Sequence, residues 1–183
     1  DIKKNNNIKF IILRFFNVCS ALDKPLLGVL RNPITPLIPT VVYKALFRKK
    51  VYIYGNDYNT KDGTCIRDYI HIKDICIAIL KSIKFINTKK KSEIFNIGNK
   101  EGVSNKDVLK TIEKIIKKKI DLKFVKKRKG DIAKSICNSS KAKSKLNWVA
   151  KYSNINRIIK DEISWVKKLS KLKVKRKFKS YLY

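Results

Sequence analysis

Three polar side chains stand where apolar runs end. Asn17 follows Ile8–Phe16, Arg67 follows the turn-rich stretch Asn56–Thr64, and Arg128 opens Arg128-Lys129-Gly130-Asp131 just after Leu122–Val125. Arginine's planar fork makes paired, charge-assisted hydrogen bonds to phosphate and carboxylate oxygens. Open α/β sheets bind their ligands beyond the carboxyl ends of the strands. A diphosphate gripped by Arg67 and Arg128 is one reading of this spacing. The plainer one is that Arg67 pairs with its neighbour Asp68 and that Gly130-Asp131 is an ordinary turn.

Nucleophile-and-base chemistry finds few residues here. The chain has one histidine, His71, and no Gly-x-Ser-x-Gly, Gly-x-x-x-x-Gly-Lys or Gly-x-Gly-x-x-Gly. His71 alternates with Ile70 and Ile72 in an extended piece and reads as structural. Tyr69 and Lys73 match Tyr-x-x-x-Lys, the spacing in which a lysine lowers the pKa of a tyrosine base. Such a pair must share one helical turn to face the same way; this segment reads as a strand, so the match is accidental. Cys19, Cys65, Cys76 and Cys137 lie far apart with no Cys-x-x-Cys pair. Neither a zinc site nor a disulfide framework is signalled, and a reducing cytoplasm is the expected compartment.

The elements that must position these residues alternate between strand and helix. Ile8–Phe16 is a nearly continuous apolar run, as expected for a strand buried on both faces of a parallel sheet. A long connection with Pro25, Gly28, Pro33, Pro36 and Pro39 leads to helical spacing over Ile38–Arg48, with a proline in the first turn. Val51–Tyr54 and Ile66–Ile72 read as short extended pieces on either side of the Asn56–Thr64 loop. Asp74–Ile86 has isoleucines at helical intervals, and Ile94–Ile97 is a strand stopped by Gly98. Ser104 with Asp107 three positions on predicts a capped helix to about Lys118. A strand at Leu122–Val125, a turn at Gly130 and helices over Ser139–Leu146 and Asn154–Leu169 complete the series. That order argues α/β architecture.

Composition sets the remaining bounds. The chain has 183 residues, 44% hydrophobic, which suffices for one domain with a sizeable core. Its 45 Lys+Arg against 14 Asp+Glu give a net charge of +31, which invites a nucleic-acid reading. The lysines, however, are spread along the chain together with Ile and Asn, as compositional drift would leave them. Only Lys167–Lys179 is dense enough to read as a basic tail, so no specific nucleic-acid partner is indicated. The longest apolar runs are strand-sized and no signal-peptide pattern opens the chain, so neither a membrane span nor a leader is expected. There is no Met, even at position 1, and the chain is therefore expected to be part of a longer one.

Six segments together carry a family resemblance: RFFN (Arg14–Asn17), PLIP (Pro36–Pro39), YIYGNDYNTKDGTCIRDYIHIKDI (Tyr52–Ile75), FNIGN (Phe95–Asn99), KRKGD (Lys127–Asp131) and SSKAKSKLNW (Ser139–Trp148). In register and in order, from about Ile8 to Trp165, they resemble the C-terminal part of the UDP-glucose 4-epimerases, members of the extended short-chain dehydrogenase/reductase family. The DY-x-T-x-DGT loop is typical of the 4-epimerases, whereas the RDYIH-like piece is shared with sugar-nucleotide dehydratases and decarboxylases.

The resemblance implies the last strands of a Rossmann-like parallel sheet plus a small mixed α/β substrate-binding subdomain over residues 1–170, followed by a basic tail at 171–183. It implies an isomerase that interconverts UDP-glucose and UDP-galactose through a 4-keto sugar with bound NAD, a homodimer when complete. By motif, Phe16 would touch the nicotinamide end of NAD and Asn17 the diphosphate. Pro36 and Leu37 would lie near the nucleotide, Tyr52, Ile53 and Tyr54 would line the uridine pocket, Arg67 and Arg128 would bind the diphosphate, and Asp131 the ribose. Ser135 would face the sugar's C2 substituent, where the family's Tyr goes with restriction to the glucose pair and a small residue with acceptance of the N-acetylated pair. Pro36 departs from the family's usual Asn or His and removes a side-chain hydrogen bond and a backbone donor. The family's Gly-rich turn and Tyr-x-x-x-Lys helix are expected before residue 1, with Asp1–Asn7 as the end of that helix, so this chain alone is expected to be inactive. The alternatives are an inactive remnant of such an enzyme and a basic nucleic-acid-binding module, the latter requiring cations gathered on one face with aromatic residues between them.

Overall fold

The computed structural model describes residues 8–22, 24, 27–30 and 36–171. The segment expected as a helix end, Asp1–Asn7, lies outside these residues, as does the expected basic tail apart from Lys171. In chain order the elements are β1 (Ile11–Phe15), β2 (Asn17–Cys19), α1 (Leu37–Leu46), β3 (Val51–Tyr54), β4 (Ile66–His71), α2 (Ile72–Lys89) and β5 (Glu93–Ile97), then β6 (Gly102–Ser104), α3 (Asn105–Ile116), β7 (Leu122–Val125), β8 (Lys134–Ser135), α4 (Ser140–Leu146) and α5 (Ile155–Lys171).

The strands form three small sheets. β1 runs parallel to β5 with Ile11 opposite Glu93, and β3 runs parallel to β7 with Val51 opposite Leu122. β4 is the hub of the third. Its last three residues pair in parallel with β2, Asn17 opposite Tyr69. Its first residues pair antiparallel with β6 and in parallel with β8, which sets Ser135 opposite Arg67.

Local chemistry explains the boundaries. Pro39 sits in the first turn of α1, where its missing N–H has no helical partner to lose. The Ser104 hydroxyl accepts the Asp107 N–H at 3.0 Å and starts α3. α2 begins at Ile72, two residues before the position that periodicity predicts, because His71 Nδ1 accepts the Lys73 N–H at 2.9 Å and caps it.

Two apolar clusters hold the elements together. Ile38, Val41 and Val42 of α1, Val108 and Ile112 of α3, Ile158, Ile159 and Ile163 of α5, and Val51 and Ile53 of β3 make the larger one. The other is built from Ile70, Ile75, Ala78, Phe95, Ile97 and Trp148, with Trp148 Nε1 donating to the Asp74 carbonyl at 3.0 Å. The expectation that the first strand is buried on both faces is corrected. Ile11 and Leu13 pack toward the second cluster, but Ile12 and Phe15 are 43% and 44% exposed. Among the described residues β1 pairs with β5 alone, so one face and one edge remain open.

Candidate functional site

A cavity of about 420 Å³ opens between the end of β2, the start of α1, β3, β4 and the turn that follows β7, a size in the range of small-molecule sites. Asn17, Pro36, Leu37, Tyr52, Ile53, Tyr54, Arg67, Arg128 and Asp131 all line it. Segments as distant in sequence as Asn17 and Asp131 thus meet in one place. Phe16 lies outside that lining, half-buried, with its N–H donating to the Ile97 carbonyl at 3.2 Å. Ser135 is also outside it, half-buried on the strand beside Arg67.

Each element places its residue by its own period. In β3, Val51 and Ile53 are buried while Tyr52 and Tyr54 stand out as an aromatic pair. Strand alternation in β4 puts Arg67 and Tyr69 on the cavity side, in line with Cys65 just before the strand, and Asp68 on the other. Cys65 and Tyr69 lie inside the matched Tyr52–Ile75 block but carry no binding role by motif; their spacing of two from Arg67 is the signal that finds them. Val18, Cys19, Ile38, Pro39 and Asn105 also line the cavity and follow only from the three-dimensional arrangement.

That alternation keeps Arg67 from pairing with Asp68. Its Nη1 donates to the Ile66 carbonyl at 3.0 Å and the Ile132 carbonyl at 2.8 Å, and the residue lines the cavity. Asp68 is occupied elsewhere. Fully buried, its Oδ1 accepts the Asn99 N–H at 2.8 Å, and its Oδ2 accepts those of Lys100 at 2.9 Å and Cys137 at 3.0 Å. Burial pushes this carboxyl above its ordinary value, and the three N–H donors oppose the shift without cancelling it. Asn17 spends an amide hydrogen on the Asp68 carbonyl at 3.0 Å. Across the cavity, Arg128 Nε donates to Asp131 Oδ2 at 3.0 Å, and its guanidinium lies 4.6 Å from the centre of the Tyr54 ring. Gly130, with φ +86°, forms a true turn here, and that turn faces the cavity.

The Asn56–Thr64 loop forms the neighbouring wall. Asp62 fastens it, accepting from the Thr64 N–H and hydroxyl at 2.8 and 2.7 Å and from the Ser104 hydroxyl at 2.5 Å. Burial alone would raise the Asp62 carboxyl, but these hydrogen bonds and the Lys106 ammonium outweigh it and hold the group below its ordinary value. Gly63 has φ +79°, and a Cβ there would stand 2.1 Å from the Asn56 carbonyl oxygen, so only glycine fits.

His71 is structural. Its Nδ1 accepts a backbone N–H, so the proton belongs on Nε2, which donates to Asp161 Oδ2 at 3.1 Å. Tyr69 and Lys73 fall on β4 and α2, and the Lys73 ammonium lies 4.2 Å over the Tyr152 ring; they form no tyrosine–lysine base. Asp74 accepts the Lys151 and Tyr152 N–H groups and the Ser153 hydroxyl at 2.9, 2.8 and 2.6 Å. Asp68, His71 and Asp74, three residues apart, thus rivet the surrounding segments to β4 and α2. All four cysteines are unpaired. Among the described residues no cluster of three His, Cys, Asp or Glu could hold a metal, and no helix is long and apolar enough to cross a membrane.

Fold and cavity together define a Rossmann-like α/β protein whose ligand-sized pocket lies beside the ends of its strands. A family model described as GDP-mannose 4,6 dehydratase matches residues 1–161, and the chain belongs to that family. Its relatives bear out the epimerase resemblance. A curated UDP-glucose 4-epimerase of Lacticaseibacillus casei is 36% identical over 159 residues, covering 86% of this chain and 48% of that protein. The crystal structure of UDP-glucose 4-epimerase from Bifidobacterium longum in complex with NAD+ and UDP is 32% identical with a TM-score of 0.83, covering 91% of this chain and 50% of that one. The UDP-Glc/GlcNAc 4-epimerase from Campylobacter jejuni is 34% identical with a TM-score of 0.72, covering 91% of this chain and 50% of that one. The chain thus spans about half the length of the relatives it matches.

Proposed function

We propose that these residues form the C-terminal, nucleotide-sugar-binding half of an NAD-dependent UDP-sugar 4-epimerase, with the sheet-end strands and substrate subdomain over residues 1–170 and a basic tail beyond. The observation that carries this reading is the single cavity uniting Asn17, Arg67, Arg128 and Asp131 with an aromatic wall. Uracil lies against the β3 edge at Tyr52–Tyr54, with Pro36 and Leu37 closing over the nucleoside. The diphosphate sits between the Arg67 and Arg128 guanidiniums with Asn17 as a further donor, a geometry suited to bidentate charged hydrogen bonds. Asp131 accepts from the ribose hydroxyls, and in doing so competes with its own contact to Arg128.

The chemistry NAD supplies when bound is removal of hydride from sugar C4 and its return to the other face of a 4-keto sugar. This chain offers it Phe16, which adjoins Asn17 of the cavity. Its larger task is to hold UDP while the sugar turns. Ser135 is small where the family's Tyr goes with restriction to the glucose pair, so the proposed substrates include UDP-N-acetylglucosamine and UDP-N-acetylgalactosamine; the Campylobacter jejuni neighbour is itself named for both kinds of sugar.

Calorimetry with UDP tests the reading. The isolated chain should bind UDP, more weakly as salt rises, and should not turn over UDP-galactose, because no Gly-rich dinucleotide turn is present in its sequence. Absence of UDP binding at millimolar nucleotide sinks the site assignment; turnover by these residues alone sinks the half-enzyme assignment.

A further inference from the structure

Asp68 brings distant stretches of chain to one point beside the cavity. Its carboxylate holds Asn99 and Lys100 from the turn between β5 and β6 and Cys137 from the segment after β8, and its carbonyl holds the Asn17 amide. Residues 131–137 run alongside β4, and besides the β4–β8 pairing of Lys134 and Ser135 three contacts secure them. Arg67 Nη1 takes the Ile132 carbonyl, the Ile66 N–H takes the Ala133 carbonyl at 2.8 Å, and Asp68 takes the Cys137 N–H. Asp131 begins this segment and Ser135 lies within it. The fit around the last contact is tight: a Cβ on Gly98 would stand 2.4 Å from Cys137 Cβ and 2.9 Å from Asp68 Oδ2.

We propose, resting on the nucleotide-site reading above, that the Asp68 carboxylate is a positioning group for the diphosphate site: without touching ligand, it sets where Arg67 and Asp131 stand by clamping residues 131–137 to β4. If the Cys137 contact slackens, only the two-residue β4–β8 pairing and the Ile132 and Ala133 carbonyl contacts hold the strip, and it can shift along β4. The Arg67 guanidinium then loses the carbonyl that orients it, and Asp131 moves with the strip. The molecule holds its own control. Asp74 is an equally buried carboxylate with three donors of its own, but these come from residues 151–153, whereas the Cys137 N–H held by Asp68 belongs to the strip that carries Asp131 and meets Arg67.

The test compares Asp68→Asn with Asp74→Asn, measuring UDP affinity by calorimetry and melting temperature in parallel. Asparagine keeps the volume, but its amide turns a donor toward a backbone N–H that needs an acceptor. Both variants should melt lower. Asp68→Asn should also weaken UDP binding by roughly tenfold or more, while Asp74→Asn changes it by less than about twofold. Equal effects on UDP in the two variants, or none in Asp68→Asn, overturn the proposal. Hydrogen exchange on the unmodified chain decides it even if Asp68→Asn does not fold: UDP should slow exchange at the Cys137 N–H and leave the Tyr152 N–H unchanged. No change at Cys137, or the same change at both, overturns it. If the unmodified chain binds no UDP, the nucleotide reading falls and this one with it; if it binds and the variants fail the comparison, only the role of Asp68 falls.

Discussion

Glu162 lies on α5 in the middle of the chain's larger core, only 1% exposed, and its Oε2 has no hydrogen-bond partner among the described residues. Burial pushes its carboxyl from 4.5 up to about 7. Its presence also helps to raise the buried Cys19 thiol, after that thiol's own burial. The sign of the pH effect follows. The native state keeps the proton that the unfolded chain has released, so stability is highest below pH 4.5 and declines as pH rises to about 7, after which the loss is complete. At about 1.4 kcal/mol per tenfold in proton affinity, the loss amounts to roughly 3 kcal/mol. Glu162→Gln keeps the shape and removes the ionisation. Urea unfolding at pH 8 should therefore find the variant more stable than the unmodified chain by about 3 kcal/mol, equivalent to a melting point higher by roughly 6–12 °C. At pH 4 the two should agree within about 1 kcal/mol. Other titrating groups contribute to both proteins and cancel in the difference. A stability difference that is the same at both pH values would show that Glu162 does not ionise within this window.

The remaining predictions concern the cavity and its wall. Arg67→Ala and Arg128→Ala should each weaken UDP binding about tenfold or more, since charged hydrogen bonds contribute roughly 1.5–3 kcal/mol; unchanged calorimetric affinity in both removes the phosphate clamp. Ser135→Tyr, in the complete enzyme, should abolish epimerisation of the N-acetylated pair and spare the glucose pair. Equal ratios of kcat/KM for the two substrate pairs before and after substitution would acquit Ser135. Gly63→Ala should lower stability by about 1–3 kcal/mol and loosen the Asn56–Thr64 loop, read as a lower urea midpoint and faster proteolysis in that loop; an unchanged midpoint contradicts the clash with the Asn56 carbonyl.

The elements that sequence reveals best are those with a clear apolar run or a cap. β3 and β7, four residues each, fall on the apolar runs Val51–Tyr54 and Leu122–Val125, and Ser104 caps α3 as its side chain and Asp107 suggest. β2, β6 and β8 have three, three and two residues, too few for any period, and each exists because β4 offers it a partner. The open face of β1 was invisible for the opposite reason: its apolar run suits a doubly covered strand, and nothing within the run says what covers it. At the site, the motif match gathers residues that the fold then brings into one cavity, whereas Asp68 is legible only in three dimensions. Its three donors lie 31, 32 and 69 residues away.

The open side of β1 bears on the colloidal behaviour of the isolated chain. A strand that pairs on one side alone among the described residues, with Ile12 and Phe15 exposed, is a template for strand-to-strand association. What keeps two copies apart is the net charge of +31, a long-range repulsion that shrinks as ions shorten its reach from about 30 Å at 0.01 M to about 8 Å at 0.15 M. Raising salt removes the repulsion and leaves the apolar edge untouched. Dilute buffer should thus keep this chain monodisperse, and ordinary physiological ionic strength should push it toward clusters.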